Sequence, residues 1–262
     1  MFKLGYNISH LTSKVLAHLL AVIMILSNCF TSYALAITIA PEAIVPDSNI
    51  SGNNVYMDKS ANNIPVVNIN DPNVAGVSHN HFTDFNVGTR GAIINNSSTN
   101  AVSKIGGVVT GNANLTHSAS TIINEVTGTS RSQIHGPQEI LGKSADYILA
   151  NPNGISINGG EFINTQSAIY TTGKVLLDSS GRLEKFLIEK GEVEIDGVDL
   201  DLSNLDYFDI IARSVKLNTA IYAKRDKALE DSQDTELSVV AGTGEYNVKS
   251  KKLNPKRSDT SV

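Results

Sequence analysis

Tryptophan is absent from this 262-residue chain, and aromatic side chains make up only 6% of it. A core built on few large rings, with 20 glycines and many asparagines, favours strands and tight turns over a helical bundle. Cys29 is the sole cysteine. It falls inside an N-terminal leader-like stretch, so the mature chain is expected to lack thiols, disulfides and cysteine metal sites. Asn28, just before it, does not suit a lipidation site. A basic excess is also missing: the net charge is -5, which excludes a general electrostatic footprint for nucleic acid. The longest apolar run, Val15 to Leu26, is broken by His18 and is shorter than the ~20 residues of a membrane span.

That run does have the form of an export signal. Lys3 and Lys14 precede it, and Ala34-Leu35-Ala36 places small residues where signal peptidase reads. Residues 1–36 are therefore expected to be a signal peptide cleaved after Ala36, with Ala40 as the alternative site.

Beyond the leader, short apolar patches alternate with Asn, Gly and Asn-Pro turns. Pro41, Pro46, Pro65 and Pro72 punctuate residues 37–75. This composition suits the atypical terminal element that closes the open apolar end of a solenoid. Later patches include Ala92-Ile93-Ile94, Val108-Val109, Thr121 to Val126, Tyr147 to Ala150 and Val175 to Leu177. Val193 and Ile195 interleave with Glu192, Glu194 and Asp196, and Val198, Leu200 and Leu202 interleave with Asp199, Asp201 and Ser203. Period two places the apolar set inside and the carboxylates outside. Patch spacing predicts coils of ~20 residues, about ten in the mature chain. Two segments break the rhythm: one helical turn is expected near Glu139 to Leu141, and Ser179 to Lys190 reads as an excursion. After Lys224 the composition turns polar, and residues 225–262 are expected to be a disordered tail or the start of a truncated passenger.

Among possible chemical sites, His79 and His81 would share one face of a strand. With no cysteine and no carboxylate at a suitable sequence spacing, they read as structural, and no metal or other cofactor is expected. Gly136 to Ser144 nearly spells a phosphate loop, but its glycine gap is one residue too long and Pro137 removes an amide. Asp199, Asp201 and Asp206 leave open a polysaccharide-cleaving face with paired acids. No partner base or aromatic platform accompanies them, so the chain is not expected to be an enzyme.

Two longer words are more specific. One is G-V-S-H-N-x-F-x-x-F-N-V, carrying Gly76, Ser78, His79, Asn80, Phe85 and Asn86; the other is A-N-P-N-G-I, carrying Asn151, Pro152, Asn153 and Gly154. Between them stand Asn112-Ala113-Asn114-Leu115 and Ile122-Ile123-Asn124-Glu125-Val126, and Ala212 to Lys224 reads A-R-S-V-K-L-N-T-A-I-Y-A-K. Together these resemble the N-terminal two-partner secretion (haemagglutination activity) domain of filamentous-haemagglutinin-like exoproteins and contact-dependent inhibition toxins, over about Ile37 to Lys224. Alanine at 113 stands where the family has proline.

The resemblance implies an all-β fold, a right-handed parallel β-helix with an N-terminal cap and extra-helical β-hairpins. It implies a secretion-targeting module of an adhesin or haemagglutinin, exported through the periplasm of a Gram-negative bacterium and displayed at the cell surface or secreted. The partner would be an outer-membrane β-barrel transporter acting through its periplasmic domains. Residues 112–115 and 151–154 would carry recognition and secretion, and the first word would be structural. A free-standing adhesin that binds host-cell glycans or proteins is the alternative.

Overall fold

The computed structural model describes residues 43–223 and 234–256. The expected leader, with Ala34 and Ala36, and the fragment Ile37 to Ile39 lie outside them. Every regular element among the described residues is a strand.

Three mainly parallel sheets form most of the solenoid among the described residues, beside a short parallel pairing of Leu200–Asp201 with Ile221–Tyr222. The largest contains β1 (Ile44–Pro46), β4 (Val77–Phe85), β8 (Thr121–Val126), β11 (Asp146–Ala150), β14 (Ser167–Thr171), β19 (Tyr207–Ala212) and β22 (Glu236–Ala241), adjacent in that order. All of its pairings are parallel except β1 against β4. A second sheet runs β13 (Phe162–Ile163), β10 (Gln138–Gly142), β5 (Ala92–Asn96), β3 (Pro65–Asn68), β2 (Tyr56–Lys59). A third runs β20 (Ser214–Leu217), β17 (Glu192–Ile195), β12 (Ile155–Ile157), β9 (Ser132–Ile134). β2 is antiparallel to β3, whereas β3 already pairs in parallel with β5. The antiparallel strands β1 and β2 therefore cover the first coil, and Pro65–Asn68 belongs to the solenoid itself.

One contiguous core fills the solenoid, and its members include Ile69, Phe82, Ile94, Ile122, Leu149, Ile157, Val193 and Phe208. Tyr147, Phe162, Tyr170 and Phe208 stack through it with ring centroids 5.4–6.5 Å apart. The two buried phenols need partners. Tyr147 donates to Gln138 Oε1 at 2.7 Å, and Gln138 Nε2 donates to the Tyr170 oxygen. Desolvation pushes both phenols well above their usual range, so both stay protonated.

The first sheet is apolar on its outer face as well. Val77, Ile123, Ile148, Ile169 and Ile211 point outward into a second cluster with Phe186, Ile188 and Tyr246. The cover is an antiparallel sheet of β15 (Gly173–Leu177), β16 (Leu183–Ile188), β23 (Gly244–Asn247) and β24 (Lys252–Pro255). A smaller hairpin, β6 (Ala101–Ser103) with β7 (Gly107–Val109), also leaves the solenoid.

Four expectations need correction. Glu139 to Leu141 is not helical but lies in β10, whose neighbours β5 and β13 hold its backbone in a parallel ladder. The ordered fold does not stop at Lys224, because β22 extends the first sheet and β23 and β24 complete the covering sheet. About ten coils were expected, yet six parallel strands follow β1 in the largest sheet. The spacing of ~20 residues holds from Tyr147 to its partner Ala168, but hairpin insertions lengthen other coils. Asn80 and Asn124, also close in register, are 44 residues apart. Finally, Leu200 and Leu202 point inward as the alternation predicts, but Val198 sits in a turn and is 65% exposed.

Candidate functional site

Asparagine turns between strands are the most distinctive local structures, and two of them share one geometry. At the first, the Leu115 N–H donates to the Asn112 carbonyl at 3.2 Å, and the Asn114 N–H donates to Asn112 Oδ1 at 3.0 Å. At the second, Gly154 and Asn153 donate to the carbonyl and Oδ1 of Asn151 at 3.0 and 2.9 Å. Each leading asparagine thus builds a turn with its own side chain. Ala113 occupies the place of Pro152 without loss of these bonds.

The side-chain amides then reach into other coils. Asn112 Nδ2 donates to the carbonyls of Ile69 and Asn95 at 2.9 and 3.1 Å. Asn151 Nδ2 donates to the Ser130 carbonyl and to Ser132 Oγ at 3.0 and 2.9 Å. Both side chains are buried, at 1% and 0% exposure, so their complete hydrogen bonding is a requirement of the fold. The outer residues differ. Ala113 is exposed, and Pro152 and Asn153 are half-buried.

Each turn is also tied to a different part of the molecule. Asn114 Nδ2 donates to the Asn54 carbonyl at 2.8 Å and the Thr116 N–H donates to Asp71 Oδ1 at 2.8 Å, fastening the first turn to the N-terminal segment. That backbone donor is the main reason the Asp71 carboxyl lies below its usual range. Leu115 inserts into the solenoid core. Asn153 Oδ1 accepts from Lys190 Nζ at 2.8 Å, fastening the second turn to the segment after β16. A cleft of about 380 Å³ between that turn and the hairpin is lined by Glu125, Thr127, Asn153, Lys174, Glu189 and Lys190 among others. Gly154 has φ +115°, and a Cβ there would stand 2.8 Å from the Glu192 carbonyl oxygen. Glycine is therefore demanded by both conformation and space.

The residues of the first word are dispersed through β4 and its ends. Gly76 turns with φ +81°, and its carbonyl accepts the Ser120 and Thr121 N–H groups. Ser78 and Asn80 point inward: Ser78 Oγ donates to the Asn70 carbonyl at 2.7 Å, and Asn80 Oδ1 accepts the Asn70 N–H at 2.8 Å. Phe85 packs edge-on against Phe82 at 5.0 Å. Asn86 Oδ1 accepts the Gln133 N–H at 2.9 Å.

His79 and His81 share the outer face of β4, as their spacing predicts. The expectation that no carboxylate joins them is overturned. Register pairs His81 with Glu125 of β8, and Glu125 Oε2 lies 2.8 Å from His79 Nε2 and 3.8 Å from His81 Nε2. Sequence reading also missed Lys190 and Arg131. The Arg131 guanidinium donates to the Glu192 carbonyl at 3.1 Å, beside Gly154. Neither long-range partner leaves a local sequence signal.

The family model described as the TPS secretion domain matches residues 42–262. Filamentous hemagglutinin of Bordetella pertussis is 44% identical over 197 residues, 75% of this chain and 5% of that protein. The 16S rRNA endonuclease CdiA of Enterobacter cloacae is 42% identical over 199 residues, 74% of this chain and 6% of that protein. The chain thus spans only a small part of the length of these relatives. The crystal structure of the filamentous hemagglutinin secretion domain superposes with a TM-score of 0.74 at 38% identity, covering 83% of this chain and 69% of that one. With the parallel β-helix, its hairpin cover and its asparagine turns all in place, the chain belongs to the TPS secretion domain family.

Proposed function

We propose that this module delivers an exoprotein to an outer-membrane β-barrel transporter by binding the transporter's periplasmic domains as an extended chain, and that it folds into the β-helix at the cell surface. Residues 1–36 are the leader removed on entry to the periplasm. Residues 112–115 and 151–154 are the recognition elements.

The burial of Asn112 and Asn151 carries this reading. In the folded domain both amides are spent on backbone and side-chain acceptors. A transporter that reads them must therefore meet the chain before it folds. An extended segment presents unpaired backbone for strand addition, with side chains sorted to alternate faces. Folding then withdraws the same groups, so recognition and folding exclude each other. That exclusion favours release on the far side of the membrane.

The module itself is non-catalytic in this reading. Asp199 accepts from Thr219 Oγ1 at 2.8 Å, and that bond is the main reason its carboxyl sits below the usual range. A general acid needs the opposite shift. Asp201 Oδ1 accepts the Ser203 N–H at 2.8 Å and closes a turn.

Secretion with and without a co-expressed cognate transporter tests the proposal. Wild-type chain is expected in the medium only with the transporter, and Asn151→Ala and Asn153→Ala should reduce its export. Secretion that ignores the transporter would overturn the reading.

A further inference from the structure

The outer face of β4 and β8 carries two imidazoles and a carboxylate that lie outside the proposed recognition elements. His79, His81 and Glu125 offer ligand atoms that all lie within 4.8 Å of one another. We propose that these three side chains form a binding site for a borderline divalent transition metal such as Zn²⁺, closed only when the first coils have folded.

The ligand set fixes the class of ion. Two imidazole nitrogens and one carboxylate oxygen suit Zn²⁺, Co²⁺, Ni²⁺ or Cu²⁺, whereas Ca²⁺ and Mg²⁺ require oxygen ligands throughout. Bonds of ~2.0–2.2 Å at tetrahedral angles place ligand atoms about 3.4 Å apart. The two imidazole–carboxylate separations straddle that figure, with 2.8 Å for His79 Nε2 to Glu125 Oε2 and 3.8 Å for His81 Nε2 to the same oxygen. Side-chain adjustments that bring the three ligand atoms, now all within 4.8 Å of one another, to that spacing convert the present hydrogen-bonded cluster into a three-ligand shell. A fourth position is left to water, because the side chains keep 21%, 21% and 14% of their surface.

Support from outside the shell is already built. Glu125 Oε1 accepts the Val175 N–H of β15 at 3.2 Å, which leaves Oε2 facing the imidazoles. The imidazole rings lie side by side, their centroids 4.2 Å apart. The His81 backbone is held in turn, its N–H donating to Asn53 Oδ1 at 3.2 Å and its carbonyl accepting from Asn53 Nδ2 at 2.9 Å. An ion here would join β4 and β8 directly and the covering hairpin through Val175.

The site is also a folding sensor. His79 and Glu125 are 46 residues apart in sequence, so an extended chain cannot assemble the three ligands, and an ion that binds only the folded state stabilises it by mass action.

The exported full-length chain, stripped of metal, tests this with two probes. Co²⁺ is expected to give the visible absorption of a low-coordinate nitrogen–oxygen site, displaced by Zn²⁺, and Zn²⁺ should raise the unfolding temperature. His79→Ala, His81→Ala and Glu125→Gln should each weaken Zn²⁺ binding by at least the roughly 10–100-fold that loss of an outer-shell partner alone costs. Exposed His117 serves as the control, and His117→Ala should bind as wild type. Circular dichroism without metal should be unchanged in all four variants, separating loss of a ligand from loss of fold. Equal binding by wild type and the three ligand variants, or no Co²⁺ spectrum, would overturn the site.

Discussion

Asn153 donates from Nδ2 to the Gly128 carbonyl at 2.8 Å, so a turn in one coil is fastened to the coil before it. Its neighbour Asn151 makes two further donations of this kind from full burial. Asn151→Ala leaves the Ser130 carbonyl and Ser132 Oγ without that donor and should destabilise the domain by about 1–3 kcal/mol. Asn153→Ala, at a half-buried position, should cost less. Urea unfolding of the two variants measures the difference. A larger export defect for Asn153→Ala than for Asn151→Ala would then separate recognition from stability.

Gln138 is gripped on both sides by Tyr147 and Tyr170 inside the solenoid. Tyr170→Phe leaves Gln138 Nε2 without its acceptor and is expected to cost about 1–3 kcal/mol. Adding Tyr147→Phe and Gln138→Leu removes every polar member of the set at similar volume. The triple variant should therefore recover part of the loss, because the Gln138 amide is then no longer buried without its partners. Thermal unfolding of the single and triple variants checks the order.

These two arrangements mark how far the sequence could be read. Asparagine turns were legible because Asn-Pro-Asn-Gly states its geometry in four consecutive residues. The same was true of the alternation Val193-Glu194-Ile195, which belongs to a strand buried on one face. β11 and β14 were harder, since the covering sheet buries both of their faces and erases period two. β10 was misread near Glu139 because a short apolar run does not distinguish a strand from one helical turn. β22 was missed because the polar composition after Lys224 hid a strand that its partner β19 holds in register. Glu125 beside His79 was invisible for the same reason: parallel register, not sequence spacing, brings them together.

Gly154 should be less replaceable than Gly52. Both have positive φ, but a Cβ at Gly52 meets nothing within 4 Å, whereas at Gly154 it meets the Glu192 carbonyl and the Arg131 side chain. Gly154→Ala therefore combines conformational strain of about 1–3 kcal/mol with a displaced neighbouring strand. Gly52→Ala carries the strain alone. Denaturant midpoints should fall further for Gly154→Ala, and equal midpoints would show that β17 yields freely.

Asp209 contributes a pH dependence whose sign follows from its burial. It is 9% exposed, and desolvation raises its carboxyl above the usual value, opposed by the charge of Lys251 and assisted by that of Glu236. The folded state thus binds the proton more tightly than the unfolded chain does. The resulting stability is fully present below the unfolded value of about 3.9 and is lost as pH rises through the raised folded value. At neutral pH the buried carboxylate is a cost that Asp209→Asn removes. The variant is expected to be more stable than wild type at pH 7, with the gap narrowing as the pH falls toward 4. Unfolding free energies of both proteins across that range check the sign. A gap that widens on acidification would mean that Lys251, not desolvation, governs the site.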